Sequence, residues 1–206
     1  MRVEPKSKQV YWHHEMSIKK MLGADFDEFN DMYDYTDRIP GSFTRLNAAV
    51  LFQYSREVSG LVVEIGVDQG RSASILLHNA QKNGSWVVLV DSWSGILVDN
   101  MYKAVDMTAN FPNAKCRVVR ELSVDAAEGM KKNWSEIDLL HIDAHHYKGG
   151  VDVDCQVWLP LVRPGGLALF HDYASTFDAV TESVDKYTER WEDLGAWDSL
   201  AVRRKP

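Results

Sequence analysis

The order of five short apolar runs, and of the segments between them, constrains this chain more than any other feature of its sequence. Each run is strand-sized and almost continuously hydrophobic, as the central strands of a parallel sheet are. The runs cover residues 61–65, 86–90, 116–119, 137–142 and 167–170. Segments long enough for crossover helices separate them, at 71–82, 100–111, 123–133 and 150–162. Strand and helix therefore alternate, which predicts an α/β fold with a doubly wound, Rossmann-like and mostly parallel sheet.

The two ends of the chain add further elements to this sheet. Residues 176–190 have a helical pattern, and two strand-like segments follow at 191–197 and 199–203, which predicts a C-terminal antiparallel hairpin. Near the other end, apolar residues recur at helical spacing from 42 to 58, with Gly41 or Ser42 at the start. We therefore expect a helical N-terminal extension over 1–40 and a single domain over 41–206.

Residues 24–37 interleave acids with aromatic side chains. One interpretation is an amphipathic surface helix whose aromatic side contacts the core, and the other is a lid over a substrate pocket or a contact between subunits.

Composition and charge exclude several classes of protein. A length of 206 residues suits one domain, and a net charge of −7 repels phosphate backbones, which argues against a nucleic-acid partner. The apolar runs are far shorter than the roughly 18 to 20 residues of a membrane helix, and the first residues lack the apolar centre of a signal peptide. Cys116 and Cys155 fall within a predicted strand and a predicted helix, so we expect neither a disulfide nor a cysteine zinc site. A cytosolic location is the resulting expectation.

The turn after the first strand carries the first functional signal. Glu64 lies near the strand end, and Gly66 and Gly70 lead into a helix that begins near Ser72, whose first N–H groups are free to bind a ligand. The spacing departs from the GxGxxG of dinucleotide-binding proteins. Asp91 ends the second strand, where a carboxylate can accept hydrogen bonds from both ribose hydroxyls. Tight packing without a ligand is the alternative for the glycines, and a turn-forming role is the alternative for Asp91.

The turns after the fourth and fifth strands carry the second signal. Asp143 follows one strand, and His171 with Asp172 follows the other, so these side chains are expected to converge. Two oxygen donors and one nitrogen donor suit a divalent cation. The alternative is that they cap the strand ends.

These motifs together resemble those of the class I S-adenosylmethionine (SAM)-dependent methyltransferases. The resemblance rests on ExGxxxG at 64–70, on Asp91, and on IDAHHYKGGVDVDCQVWLPLVRPGGLALFHDY at 142–173, and it extends over residues 41–204. The sequence is most similar to small-molecule O-methyltransferases, including the macrolide and aminocoumarin sugar enzymes and the catechol type.

The resemblance implies SAM as the cofactor and assigns residues to each part of it. Glu64, Gly66, Gly70 and Ser72 would surround the methionine part, Asp91 with Ser92 would bind the ribose, and Ser123 would line the adenine. Asp143 also belongs to this cofactor-binding set.

The resemblance also implies a chemistry for the acceptor end. His146 matches the general base of the family, His145 matches the neighbouring position that some relatives use, and Asp143 completes the catalytic set. Asp143, His171 and Asp172 match positions that bind magnesium in metal-dependent relatives. His171 replaces an oxygen donor there, which leaves magnesium, manganese, another first-row metal or no metal open.

The expected activity is methyl transfer to a hydroxyl of a small molecule, such as a sugar or phenol of a natural product. An acceptor pocket would use residues 11–40 and 93–111, and a homo-oligomer is a further expectation. The alternatives are a nucleotide- or NAD-binding Rossmann enzyme and a non-catalytic SAM-binding subunit.

Overall fold

The computed structural model describes residues 6–134 and 136–206, with side chains described from residue 14 onward. The helices are α1 (Lys6–Leu22), α2 (Phe26–Thr36), α3 (Arg45–Ser55), α4 (Arg71–Asn83), α5 (Val98–Thr108), α6 (Ser123–Asn133), α7 (Lys148–Trp158) and α8 (Asp178–Tyr187). The strands are β1 (Leu61–Ile65), β2 (Trp86–Asp91), β3 (Lys115–Arg120), β4 (Ile137–Ile142), β5 (Val162–Phe170), β6 (Glu192–Trp197) and β7 (Leu200–Arg204). The predicted alternation of strands and helices is confirmed.

All seven strands form one sheet in the order β3-β2-β1-β4-β5-β7-β6. β1 to β5 pair in parallel, whereas β7 runs antiparallel to both β5 and β6. The doubly wound sheet and its C-terminal antiparallel hairpin are therefore as the sequence predicts. The chain order reverses between β1 and β4, and ligands of such sheets bind at the carboxyl ends of the strands beside that reversal.

Two hydrophobic layers cover the two faces of the sheet. On one face, α2, α3, α4 and α5 pack over the side chains of Val62 and Leu89. On the other face, α6, α7 and α8 pack over Val63 and Ile65, with the Trp158 indole fully buried among them. Because both faces are covered, the inner strands consist almost entirely of apolar residues, as the sequence shows.

The helix predicted over 42–58 begins later and ends earlier than expected. Thr44 is its N-cap, because the Thr44 side chain accepts a hydrogen bond of 3.1 Å from the backbone N–H of Asn47. Neither Gly41 nor Ser42 begins the helix, and the helix ends at Ser55. The stretch from Pro40 to Phe43 is consequently free to line the cavity described below.

The fifth strand is longer than its apolar run. β5 begins at Val162 and includes the Arg163–Gly166 segment, whose proline and two glycines are typical of a turn. A register irregularity between Ile137 and Leu139 of β4 accommodates the extra residues.

The acidic segment 24–37 forms α2, whose inner side is buried. The Phe29 ring is fully buried, and the Thr36 and Ser74 hydroxyl groups are 2.7 Å apart, which ties α2 to α4. The amphipathic-helix interpretation describes this segment, and a role as lid or subunit contact stays a prediction.

The cysteines and the lengths of the helices bear on two further expectations from the sequence. Cys116 and Cys155 are both free thiols. Among residues 6–134 and 136–206, no helix combines the length and the apolar character that crossing a membrane requires.

Candidate active site

One cavity of about 530 Å³ lies at the carboxyl ends of the parallel strands, a size typical of small-molecule sites. Its wall comes from the turns after β1, β2, β3, β4 and β5, and from the segment that precedes α3. Predicted site residues in the wall are Gly66, Ser72, Asp91, Ser92, Ser123, Asp143, His145, His146, His171 and Asp172. The fold thus brings nearly all the predicted cofactor, catalytic and metal residues to one cavity.

Two predicted cofactor residues lie outside this wall. Glu64 is fully buried, and its Oε1 is 2.9 Å from Nδ1 of His141 in β4. Glu64 Oε2 has no hydrogen-bond partner among the described residues. Gly70 is the left-handed N-cap of α4, and a Cβ there would overlap the Met107 side chain of α5. The left-handed backbone, with φ of +92°, favours glycine at this position, and the Met107 methyl group would have to move for any larger residue.

Asp91 organises the turn after β1. Its Oδ2 accepts hydrogen bonds from the backbone N–H groups of Val67 and Asp68, at 2.9 and 3.0 Å, and its Oδ1 accepts one from Trp93, at 2.9 Å. A carboxylate has about four acceptor sites, so three bonds leave capacity for one more on Oδ1. Asp91 is thus a turn-forming residue and still has an acceptor site for a ligand hydroxyl.

Trp93 belongs to the core and not to an open aromatic platform. Its side chain is fully buried, and Nε1 donates a hydrogen bond of 2.8 Å to the carbonyl of Asp68. Trp93 is therefore a packing residue beside the turn after β1.

A chain of hydrogen bonds connects the turn after β3 to the turn after β4. Trp158 Nε1 donates to Ser123 Oγ at 2.8 Å, and Ser123 Oγ donates to Asp154 Oδ1. The other oxygen of Asp154 is 3.0 Å from Nδ1 of His145. Asp154 is 1% exposed, whereas the His145 side chain is 41% exposed and lies in the cavity wall.

The sequence prediction missed Asp154, although a signal for it was present. Asp154 is a lone acid among the buried positions of α7, which otherwise hold Gly150, Val151, Cys155 and Trp158. A buried carboxylate needs hydrogen-bond donors, so an acid on the apolar side of a helix indicates polar partners nearby.

His146, Asp143 and Asp172 form a second cluster at the far end of the cavity. Their ligand atoms lie within 4.8 Å of one another, a spacing that fits a metal ion. Nε2 of His146 is 2.8 Å from Asp172 Oδ2, and the His146 ring stacks on Phe177 with a centroid distance of 4.5 Å. Phe177 is a second residue that the sequence did not indicate.

His171 bonds to both carboxylates of this cluster, whereas the sequence predicts it to be a metal ligand. Its Nδ1 is 3.1 Å from Asp143 Oδ1 and 3.4 Å from Asp172 Oδ2, and its Nε2 is 3.3 Å from Ser199 Oγ. Both ring nitrogens thus already have partners, and the structure groups His146 with the two carboxylates where the sequence suggested His171.

Charge in this cluster is balanced by the two histidines. Burial opposes protonation of His171, but its bonds to Asp143 and Asp172 outweigh burial and raise its pKa to about 10. The hydrogen bond to Asp172 likewise raises the pKa of His146. Burial disfavours the charged form of Asp172, yet the bonds from His146 and His171 outweigh it and lower the pKa of that carboxyl.

The donor chemistry of the cluster fits a divalent ion of the first transition row. Two carboxylate oxygens and one imidazole nitrogen suit manganese, cobalt or zinc, whereas magnesium favours an all-oxygen shell. An ion would compete with a proton for His146, because only an imidazole nitrogen that carries no proton can bind a metal.

Arg71 fixes the edge of the cavity next to α3. Its guanidinium donates hydrogen bonds to the carbonyls of Phe43 and Ile39, at 3.1 and 2.7 Å, and to the Asp37 carboxylate at 2.5 Å. These bonds hold the segment from 37 to 43 against the start of α4.

A family model described as a methyltransferase domain matches residues 63–173, which is just over half of the chain. The matched region begins in β1 and ends just after β5, so it includes every turn that contributes a predicted site residue. The chain belongs to this methyltransferase family.

A relative among curated proteins is the uncharacterized protein y4gI of Sinorhizobium fredii, which is 30% identical over 89 residues. That match covers 40% of this chain, and it spans about a tenth of the length of the relative.

Solved structures show the same fold at low sequence identity. The methyltransferase PaMTH1 of Podospora anserina, solved with S-adenosylhomocysteine (SAH) bound, is 14% identical, with a TM-score of 0.66 and coverage of 100% of this chain and 99% of that chain. An O-methyltransferase of Bacillus cereus in complex with SAH is 13% identical, with a TM-score of 0.64 and coverage of 93% and 96%.

Proposed function

We propose that this protein transfers the methyl group of SAM to a hydroxyl group of a small molecule. The observation that carries the proposal is that one cavity joins the predicted SAM residues to an acid–histidine cluster. Methyl transfer needs both, because the methyl donor and a group that removes the hydroxyl proton must meet at the acceptor oxygen.

SAM would occupy the half of the cavity formed by the turns after β1, β2 and β3. The open N–H groups at the start of α4, beside Ser72, suit the carboxylate of its methionine part. Asp91 would bind the ribose through its remaining acceptor site, with Ser92 beside it, and Ser123 would lie next to the adenine. Gly66 allows the turn after β1 to pass close to Asp143, and Glu64, in β1, pairs with His141 of β4. The SAH complexes of two similar folds support the same cofactor class.

The acceptor would bind between this half and the cluster of Asp143, His146 and Asp172. Phe177 offers an apolar surface beside His146, and His145 and His146 offer polar contacts, a combination that suits a phenol or a deoxygenated sugar. We assign proton removal to Nε2 of His145, because His146 is already bonded to Asp172, which favours its protonated form. The acceptor oxygen would then attack the methyl group in line with the departing sulfur.

A divalent ion, where one is bound, would be held by Asp143, His146 and Asp172. Such an ion supplies positive charge that lowers the pKa of an acceptor hydroxyl. His171 would hold the two carboxylates in place through its Nδ1. In this role it is a positioning residue and not a metal ligand.

The test starts with calorimetric titration of the chelator-treated protein with SAM, SAH, NAD and ATP. Binding of SAM and SAH in the micromolar range, without NAD or ATP binding, is the expected outcome. Formation of SAH with a panel of phenols, catechols and sugars then tests catalysis. Binding of NAD or ATP without SAM would contradict the proposal and favour a nucleotide-dependent enzyme, whereas SAM binding without turnover of any acceptor would favour a binding subunit.

A further inference from the structure

We propose that Asp154 is a positioning residue that fixes the tautomer and orientation of His145 and couples them to the adenine end of the cofactor cavity. The proposal rests on the proposed function for its catalytic consequence, since His145 is the assigned proton acceptor there. The hydrogen-bond chain itself comes from the geometry alone.

The direction of each bond in this chain follows from its donors and acceptors. An indole nitrogen can only donate, so Ser123 Oγ accepts from Trp158, and the Ser123 hydroxyl in turn donates to Asp154. An ionised carboxylate can only accept, so the hydrogen between Asp154 and His145 lies on Nδ1 of His145. In the neutral imidazole, Nε2 therefore carries the free electron pair.

The His145 ring is also confined sterically. A Cβ on Gly150, in the first turn of α7, would overlap the ring, and Tyr147 packs edge-on against it at a centroid distance of 5.2 Å. Because Gly150 and Asp154 are four residues apart on one helix, the same face of α7 supports the ring and bonds its Nδ1. The orientation of His145 thus follows from the position of α7.

The neighbouring His146 contacts its carboxylate through the other ring nitrogen. His146 contacts Asp172 through Nε2, so its hydrogen lies on Nε2. Two adjacent histidines therefore face the cavity with different ring nitrogens committed to carboxylates. Asp154 is a buried carboxylate, which is costly unless it is paired, and setting the tautomer is a function that such carboxylate–histidine pairs perform elsewhere.

Coupling to the cofactor follows from Ser123. The hydroxyl that would lie beside the adenine is the one that donates to Asp154. A ligand that shifts Ser123 therefore shifts Asp154 and, through it, His145. Binding of the nucleoside part of SAM next to Ser123 would thereby orient His145, which removes the acceptor proton.

The experiment compares Asp154→Asn with Asp152→Asn, a matched control on the same helix. Asp152 accepts a hydrogen bond of 2.6 Å from Ser183, as Asp154 accepts one from Ser123, but it lies on the side of α7 that contacts α8. The first readout is the nitrogen spectrum of histidine side chains labelled with ¹⁵N, with His145→Gln used to assign the His145 signal. The parent and Asp152→Asn should show His145 with its hydrogen on Nδ1, and Asp154→Asn should show a mixture of tautomers.

The second readout is kinetic. Asp154→Asn should lower kcat by about 10- to 100-fold while the Kd for SAM changes less than about threefold, and Asp152→Asn should leave both unchanged. In the His145→Gln background, Asp154→Asn should cause little further loss, because the two residues act together. Equal losses in the two backgrounds would overturn the proposal.

The spectrum separates failure of this inference from failure of the proposed function. It needs no ligand, so an Nε2–H tautomer of His145 in the parent would refute the positioning role even if methyl transfer is confirmed. An Nδ1–H tautomer in a parent without methyltransferase activity would refute the catalytic assignment alone. If Asp154→Asn does not fold, the tautomer of His145 in the parent still tests the positioning role, because the Asp154 contact requires the hydrogen on Nδ1.

Discussion

The backbone of Gly66 passes so close to Asp143 that a Cβ on Gly66 would overlap the Asp143 carbonyl oxygen. The two residues follow neighbouring parallel strands, and the backbone N–H of Asp143 donates a 2.8 Å bond to Ile65. This contact sets the distance between the proposed cofactor turn and the acid–histidine cluster. Two features therefore favour glycine at position 66: the close approach of the Asp143 backbone and the positive φ of Gly66 itself.

Replacement of Gly66 by alanine should therefore cost more than replacement of a comparable glycine. Gly84 is the matched control, because it also has a positive φ, of +75° against +89°, and a Cβ there meets open space. Gly84→Ala should lower the free energy of unfolding by about 1 to 2 kcal/mol, from backbone strain alone. Gly66→Ala should cost about 3 kcal/mol or more, since steric overlap adds to the strain. Urea denaturation measures both, and equal losses would show that the Asp143 contact is relieved at little cost.

Replacement of Asp91 by alanine should weaken both the turn and the binding of SAM. Three backbone N–H groups lose their acceptor, which should cost about 1 to 3 kcal/mol of stability. We expect the Kd for SAM to rise at least about tenfold, measured by calorimetry. Asp99→Ala, at an exposed carboxylate in the first turn of α5, is the control and should change neither quantity. A folded Asp91→Ala variant with the parent's affinity would remove Asp91 from the cofactor site.

Manganese should bind to the chelator-treated protein at the cluster of Asp143, His146 and Asp172. Electron paramagnetic resonance of free Mn²⁺ would measure this binding, and His146→Gln should weaken it at least about tenfold. His78→Gln is the control, because His78 also lies 2.9 Å from a carboxylate oxygen, that of Glu28, but is not part of the cavity wall. If His146→Gln binds Mn²⁺ as tightly as the parent does, His146 is not a ligand of the ion.

Both cysteines should resist alkylation in the folded protein. Burial raises the pKa of Cys116 to about 11 and that of Cys155 to about 12. Thiolate is the reactive form, and a raised pKa keeps its fraction small at pH 8. Mass spectrometry after iodoacetamide treatment should show little labelling at pH 8, slow labelling of the half-buried Cys116 as the pH approaches 11, and labelling of both thiols in denaturant. Rapid labelling of native Cys155 at pH 8 would contradict its placement in the core.

Much of the fold was predictable from the sequence, because strand-sized apolar runs and helix-length segments alternate. Local rules also placed the turns that face the ligand, since glycines and acids follow the strands. Element ends were less accurate, as at α3, where the Thr44 cap shortens the helix, and at β5, where pairing with β4 extends the strand through a proline–glycine segment.

The sequence by itself determined the parallel sheet, the cavity at the carboxyl ends of its strands and most of the residues in the cavity wall. Only the tertiary structure decided how these residues pair. Asp154 comes to Ser123 because α7 packs against α6, which begins at Ser123, and His146 comes to Asp172 because β4 and β5 are neighbours. Such pairings depend on packing between segments far apart in the chain, whereas periodicity and turn residues are local properties that a sequence displays directly.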